Sequence, residues 1–500
     1  MNGNVRKRVV VAGGGTAGWL AATALVRQLN GLVDVTLVES DDIGTVGVGE
    51  STIPTIRTFH EFIGVDEAEF VRATNATFKL GISFENWDRV GDHYFHPFGS
   101  VGRSTFVADF QHFWLEARRR GFGGDYGDYS LEQQAAMAGR FTAAGDHSLG
   151  YAYHLDATAY ARFLRGAAEE SGARRVEGRI VSVEQHGESG DITALVLESG
   201  ARVEGDLFID CTGFRALLIE KTLKTGFDDW SQWLPANSAF AVQSESSGDP
   251  VPYTRAIAHG EGWRWRIPLQ HRVGNGIVYA SDFLSDDAAR DRLIQALDGP
   301  PLFEPRLLRF ETGMRKQVWN RNCISLGLAS GFVEPLESTS IHLVMIAVTW
   351  LIQSFPFGPD NTAVAAWFNA RSRHEWEHVR DFIVLHYAAT HRNDTEFWRS
   401  RGTASIPDSL AERIALFREA AIAYQGRDDL FRIDSWVAVL TGQGVWPQRH
   451  HMMPSMLPAA QLQLALSDLQ RNIDAAVSRM PSHAERLAEI ARGARTPQTA

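Results

Sequence analysis

Four stretches of the chain combine residue types and spacings that could do chemistry. In V-E-P-L-E-S-T-S-I-H-L-V (333–344), Glu334 and Glu337 stand beside a proline and three hydroxyl side chains, just before an apolar run. An acid in that position either punctuates a helix start or is placed to take a proton. In T-F-K-L-G-I-S-F-E-N-W (77–87), Lys79 alternates with apolar neighbours. It reads either as a solvated strand lysine or as a cation projecting into a polar tunnel, where desolvation would make it a nucleophile or a donor. E-G-W-R-W-R-I-P-L (261–269) puts Trp263 and Trp265 on one face of an extended segment, as core aromatics or as a wall beside a flat molecule. H-Y-F-H-P-F-G (93–99) offers His96 and Phe98 as pocket lining, although a lone histidine more often serves structure.

These side chains need elements to aim them. Ile341, Val344, Met345, Val348, Leu351 and Ile352 recur at helical spacing, which predicts a helix starting near Ser338 or Thr339, both good N-cap types. The free N–H groups and positive dipole end of that helix would hold an anion. Phe78, Leu80, Ile82 and Phe84 share one face of a predicted strand, leaving Lys79, Gly81 and Ser83 on the other.

The N-terminal region predicts a dinucleotide-binding unit. R-V-V-V-A (8–12) reads as a buried parallel strand, followed by Gly13-Gly14-Gly15-Thr16-Ala17-Gly18 and a helical segment. Gly13 permits a tight turn, Gly15 lets the backbone approach a pyrophosphate, and Gly18 lets helix and strand pack closely. Thr16 and Ala17 open the helix whose N-terminus would hold the phosphates. The second strand, V-D-V-T-L-V-E-S (33–40), ends in Glu39, placed to bind ribose hydroxyls. Two later segments, A-R-V-E-G-D-L-F-I-D-C-T-G-F (201–214) and N-C-I-S-L-G-L-A-S-G-F (322–332), resemble the closing signatures of two-dinucleotide-type FAD proteins. The second reads Gly327-Leu328-Ala329 where such proteins usually read G-D-A. No second glycine fingerprint follows a strand, which points to electrons arriving ready-made rather than from NAD(P)H bound on this chain.

Composition narrows the field. The chain has 500 residues, enough for two or three domains or one large composite fold. Its 49 basic and 60 acidic residues leave a net charge of −11, and no run of five basic residues occurs, which argues against nucleic acid or a membrane surface as partner. Two cysteines without CxxC spacing indicate no disulfide framework and no metal site, and fit a reducing cytoplasm. The longest late apolar stretch, 341–352, is too short to span a bilayer. The end, G-A-R-T-P-Q-T-A (493–500), reads as loose.

Taken together, G-G-G-T-A-G-W-L (13–20), G-V-G-E-S-T (47–52), F-K-L-G (78–81), G-W-R-W-R-I-P (262–268), V-E-P-L-E-S-T (333–339) and R-D-F-I-V-L-H-Y…D-T-E-F-W-R (380–399) resemble the flavin-dependent halogenases of the tryptophan-halogenase family. The W-x-W-x-I-P motif, met by Trp263, Trp265, Ile267 and Pro268, separates that family from ordinary flavin monooxygenases, which stand as the alternative reading. The resemblance implies that FADH2 and O2 oxidise chloride or bromide to hypohalous acid, which reaches a lysine beside an electron-rich, indole-like aromatic. Lys79 matches that lysine, and Glu337 matches the acid that stabilises the cationic intermediate or takes its proton. The halide would sit on the N–H groups of Thr339 and Ser340. Gly13, Gly15, Thr16, Ala17, Gly18, Glu39, Gly49, Val181, Leu328 and Ile341 fall at cofactor-binding positions. His96 and Phe98 line the substrate pocket, with Trp263 and Trp265 as its wall. A separate NAD(P)H-dependent flavin reductase is the implied partner, and a homodimer is compatible with the family.

Two departures stand out. The family commonly reads S-T-G where this chain has S-T-S, so Ser340 leaves the halide preference open. The region that clamps free tryptophan in the best-known members has no clear counterpart; the chain reads G-Q-G-V-W-P-Q-R-H-H-M-M-P (442–454). The expected fold is α/β: a two-dinucleotide-type, Rossmann-like and discontinuous FAD-binding fold over residues 1–350 (pieces about 1–60, 150–220 and 310–350) with substrate-side insertions. A mainly helical substrate-binding module over 351–500 follows.

Overall fold

The alternation and glycine punctuation of the first forty residues produce a strand, a helix and a second strand. Lys7–Ala12 and Val33–Glu39 pair in parallel, and Thr16–Gln28 is the helix between them. A computed structural model describes residues 6–43, 50–143, 149–358 and 360–493. Its chain divides into two compact units, each built from three separated pieces: 1–74, 155–235 and 310–377 in the first, and 75–154, 236–309 and 378–500 in the second.

The first unit is organised by a six-stranded sheet in the order Trp319–Asn320, Cys323–Ser325, Leu207–Asp210, Lys7–Ala12, Val33–Glu39, Arg174–Glu177. All neighbours run parallel except the first pair. Val9, Val11, Leu37, Val38, Phe208 and Ile209 are fully buried, as expected where helices cover both faces of a parallel sheet. The helix Thr16–Gln28 packs against Ala157–Glu170 and Ser340–Gln353. Asp210 caps its own turn: its carboxylate accepts from the Thr212 N–H at 3.0 Å and from the Leu218 and Ile219 N–H groups at 2.8 Å each. A separate antiparallel sheet, Arg202–Glu204, Ile192–Leu197 and Ile180–Gln185, belongs to the same unit.

The second unit carries a seven-stranded sheet in the order Arg306–Arg309, Ser238–Ser244, Val273–Tyr279, Gly262–Pro268, Thr254–His259, Gly81–Glu85, His93–Pro97. Only Thr254–His259 with Gly81–Glu85 is parallel. Gly81 allows the close approach of the last pair, since a Cβ there would lie 2.4 Å from the His96 carbonyl oxygen. The unit's helices include Phe110–Arg119, Ile433–Gly442, Ala459–Arg479 and His483–Ala491.

Residues 75–154 and 236–309 contribute strands to one sheet in the second unit. The long helix Thr362–Ala388 starts in the first unit and changes membership at residue 378. An uninterrupted helix leaves no mark in the sequence at such a border. Among the described residues, no helix is long and apolar enough to cross a membrane, and no cluster of side chains could hold a metal ion. Most of the tail read as loose, from residue 494 on, lies outside the described residues.

Candidate functional site

The glycine loop of the first unit is tightly packed at Gly13 and Gly18 and open at Gly15. Gly13 has φ +107°, and a Cβ there would lie 2.3 Å from the Cys211 carbonyl oxygen. A Cβ on Gly18 would lie 1.9 Å from the Gly13 oxygen. Both glycines are therefore demanded by packing. Gly15 is different: it is the N-cap of the helix Thr16–Gln28 with φ −74°, and a Cβ there meets nothing within 4 Å. Its smallness leaves room above the first-turn N–H groups of Thr16, Ala17 and Gly18, which is the geometry of a pyrophosphate site. Glu39 ends the neighbouring strand with its carboxylate against Gly14, accepting from Trp19 Nε1 at 3.3 Å and Arg175 Nε at 2.6 Å. The loop thus fits a dinucleotide, with Glu39 the candidate ribose ligand.

Two more cofactor candidates border the same helix. Gly327, in the turn Gly327–Ala329 with Leu328, has φ +62°, and a Cβ on it would lie 3.0 Å from the Ala17 Cβ. Ile341 is buried in the first turn of Ser340–Gln353, which packs on the glycine-loop helix. Val181 is 56% exposed on the strand Ile180–Gln185, four residues past the end of the sheet's edge strand Arg174–Glu177. Gly49 lies outside the described residues.

The acid-rich segment 333–344 is built as one short turn followed by the start of a helix. Pro335–Glu337 is a 3-10 turn, Ser338 adopts a left-handed conformation at φ +62°, and Thr339 is the N-cap of Ser340–Gln353. Neither Glu337 nor Ser338 caps that helix. Glu337 is 1% exposed, and the Ser338 hydroxyl donates to Ser51 Oγ at 3.1 Å. Thr339 makes no side-chain cap bond, and its buried hydroxyl has no partner among the described residues. The Leu343 N–H reaches the Thr339 oxygen at 3.0 Å, so the earlier N–H groups, Ser340 included, have no carbonyl of their own helix to bond. Behind them, His342 bridges Thr55 Oγ1 at 3.0 Å and Glu375 Oε1 at 2.9 Å.

In the second unit Lys79 ends the short strand Thr77–Lys79 and is 0% exposed. The solvated-lysine reading is thereby excluded. Its face of the strand is covered by other segments, and period-two alternation cannot register a strand buried on both sides. Lys79 Nζ lies 4.8 Å from the centre of the Phe98 ring, a cation–π contact, and Phe98 meets His96 edge-on at 6.4 Å. The sequence-selected Lys79, His96 and Phe98 are thus one group. Trp263 and Trp265 are both buried, 6.0 Å apart on the strand Gly262–Pro268. Trp263 packs on Trp87 at 6.3 Å, and the Trp265 ring fills the space a Cβ on Gly276 would need, 2.0 Å away.

Several side chains of this group are silent in the sequence. Phe382 lies 5.5 Å from His96 and stacks at 3.7 Å on Phe431, extending the aromatic lining. His154 and His483 reach the strand of Lys79 from distant segments. Nothing at these positions marks them beforehand; the aromatic cluster only exists once the helices Thr362–Ala388 and His483–Ala491 are in place.

Comparison with known proteins agrees with this geometry. The family model for tryptophan halogenases matches residues 8–459. Tryptophan 6-halogenase SttH of Streptomyces toxytricini is 38% identical over 444 residues, covering 83% of this chain and 84% of its own. Tryptophan 7-halogenase RebH of Lentzea aerocolonigenes is 35% identical over 516 residues, 95% of this chain and 97% of its own. Among solved structures, Xcc4156, a flavin-dependent halogenase from Xanthomonas campestris, superposes with a TM-score of 0.96 at 52% identity, covering 97% of this chain and 98% of that one. A glycine loop shaped for a dinucleotide and a buried lysine against aromatic rings, in a chain matched nearly end to end, place it in the tryptophan-halogenase family of flavin-dependent enzymes, with their Rossmann-like FAD-binding fold.

Proposed function

We propose that this enzyme halogenates an electron-rich, indole-like aromatic with chloride or bromide, using FADH2 delivered by a separate NAD(P)H-dependent flavin reductase in the cytoplasm. The observation that carries the reading is Lys79, fully buried with its ammonium against the Phe98 ring. A cation held among aromatic rings, away from water, is a strong donor in a low-dielectric site. Gly13–Gly18 would hold the FAD pyrophosphate, with Glu39 on the ribose and Leu328 and Ile341 beside the flavin. Bound FADH2, with O2, supplies the oxidising power that converts halide to hypohalous acid.

The remaining steps belong to the protein's own groups. The N–H groups of Thr339 and Ser340 hold the halide at the helix start. The Lys79 ammonium donates a hydrogen bond to the oxygen of hypohalous acid, keeping the oxidant from escaping and making that oxygen the better leaving group. As the ring carbon attacks the halogen, the carbon–halogen bond forms and the oxygen–halogen bond breaks; the leaving hydroxide takes a proton from the Lys79 ammonium and departs as water, and the proton later removed from the ring restores the ammonium through solvent. The Glu337 carboxylate stabilises the cationic ring and takes the proton from the substituted carbon. His96 and Phe98 orient the substrate, and Trp263 and Trp265 wall it off from competing oxygenation. The altered 442–454 segment favours a substrate other than free tryptophan, and the S-T-S variant at Ser340 bears on the choice between chloride and bromide.

Incubation with reductase, FAD, NADH, chloride or bromide and indole, read by mass spectrometry, tests the reading. Halogenated product is expected; none across a broad aromatic panel, or oxygenated product without halide, would overturn it. Lys79→Ala is expected to retain flavin binding and lose halogenation, and undiminished turnover would remove Lys79 from the mechanism.

A further inference from the structure

The strand that carries Lys79 is only three residues long, so its backbone alone fixes the lysine weakly. It pairs antiparallel with the strand Ala152–Leu155, Thr77 opposite His154 and Lys79 opposite Ala152. Two buried histidines supply the rest of the restraint. His154 Nδ1 lies 3.0 Å from Thr77 Oγ1, and its Nε2 lies 2.9 Å from Thr254 Oγ1. Thr77 Oγ1 spends its one proton on the Pro268 carbonyl at 2.7 Å, so it accepts from His154, which must carry its proton on Nδ1.

His483, at the start of the helix His483–Ala491, works on the next residue. Its Nε2 accepts the Phe78 N–H at 3.1 Å, and its Nδ1–H donates to the Pro250 carbonyl at 2.7 Å. The Leu80 N–H bonds directly to the Pro252 carbonyl at 2.8 Å. Both amides flanking Lys79 are therefore tied to the 250–252 segment, one directly and one through an imidazole that spans the extra distance. Each ring uses one nitrogen as acceptor and one as donor, which requires the neutral form. Burial accordingly pushes His483 down to about 4 and His154 well below its ordinary value, with the Lys79 cation adding to the effect on His154.

We infer that His483, together with His154, is a positioning residue of halogenation: it fixes the Lys79 ammonium by holding the backbone and side chain of the two preceding residues. This rests on the proposed role of Lys79. The chemistry needs the ammonium held to a fraction of an ångström, because a loosely held donor lets the oxidant diffuse away before the ring carbon attacks it.

The test uses the full chain with reductase, FAD, NADH, bromide and indole. His483→Phe keeps the ring volume and removes the acceptor; His483→Gln restores an acceptor. Hydrogen exchange in the flavin-free protein is expected to show loss of protection in the peptide around Phe78 for His483→Phe and retention for His483→Gln. Flavin affinity and flavin reoxidation should be unchanged in both. Bromoindole formed per flavin oxidised should fall about tenfold or more in His483→Phe, with hypobromite appearing on a diketone trap, and recover largely in His483→Gln. Unchanged Phe78 protection, or normal coupling despite its loss, overturns the inference. Should His483→Phe not fold, Thr77→Val asks the same question at the His154 contact, and normal coupling there overturns it. Lys79→Ala runs in parallel: full coupling in that variant sinks the role of Lys79 itself, whereas loss in Lys79→Ala beside normal coupling in His483→Phe refutes only the positioning.

Discussion

Gly15→Ala separates the structural from the ligand-binding use of the glycine loop. The residue has φ −74° and ψ −175°, open to any amino acid, and a Cβ there meets nothing within 4 Å. Replacing glycine by alanine at an N-cap costs about 0.5 to 1 kcal/mol. The reduced entropy of the unfolded chain returns about 0.4 to 1 kcal/mol, so the flavin-free variant should match the wild type within a few tenths. The added methyl would, however, occupy the space where a pyrophosphate approaches the helix end. Losing about one charge-assisted contact, roughly 1.5 to 3 kcal/mol, weakens FAD binding some ten- to hundredfold. At an FAD concentration of about 100 times the wild-type Kd, ligand stabilises the wild type by about 2.7 kcal/mol and a hundredfold weaker variant by only about 0.4 kcal/mol. Denaturant unfolding with and without FAD, beside a flavin titration, reads both quantities. Gly13→Ala is the contrast: at φ +107° and 2.3 Å from the Cys211 oxygen it should lose about 2 kcal/mol or more without any flavin. An unstable flavin-free Gly15→Ala, or one that binds FAD as the wild type does, would refute the reasoning.

Two further outcomes follow from a buried hydroxyl and a desolvated carboxyl. Thr339→Val removes a buried hydroxyl that has no partner among the described residues, so stability should hold or rise by up to about 1 kcal/mol. The halide KM should rise about tenfold if that hydroxyl helps the neighbouring amides hold the anion; an unchanged KM assigns the halide to the amides alone. Burial, with Asp156 nearby, pushes the Glu50 carboxyl up to about 7. Its folded form then holds the proton more tightly than the unfolded chain, so its favourable contribution is complete below about pH 4.5 and is lost as pH rises through about 7. Thermal unfolding of wild type against Glu50→Gln should show the difference shifting in favour of the variant across that window and levelling above about pH 8. A difference that stays flat would argue against a desolvated Glu50 carboxyl.

The parts of the fold written locally were readable in advance. The turn at Gly13, the packing at Gly18 and the acid at Glu39 each depend on neighbours that a strand–helix–strand unit always brings together. The helical spacing after Ile341 likewise appears as the helix Ser340–Gln353, with Thr339 at its cap position. Lys79 could not be read in this way. Its alternation predicts one buried face, and the opposite face is closed by side chains such as Phe98, which local pattern does not reveal. Glu337 looked like ordinary helix punctuation until the left-handed Ser338 detached it from the helix that follows. His483 carried no signal, because its partners Phe78 and Pro250 lie 405 and 233 positions away.

The sequence by itself determined what chemistry was on offer: a glycine loop for a dinucleotide, a lysine, an acid before a helix, and aromatic residues spaced along strands. These are properties of backbone conformation and side-chain type, set within a few residues. Only the tertiary structure decided that Lys79 is sealed from water against Phe98, that Gly15 is the glycine the chain itself does not need, and that two histidines hold the lysine's strand. Burial and hydrogen bonding between distant segments depend on which surfaces meet when the sheets and helices assemble, and a one-dimensional pattern carries only half of each contact.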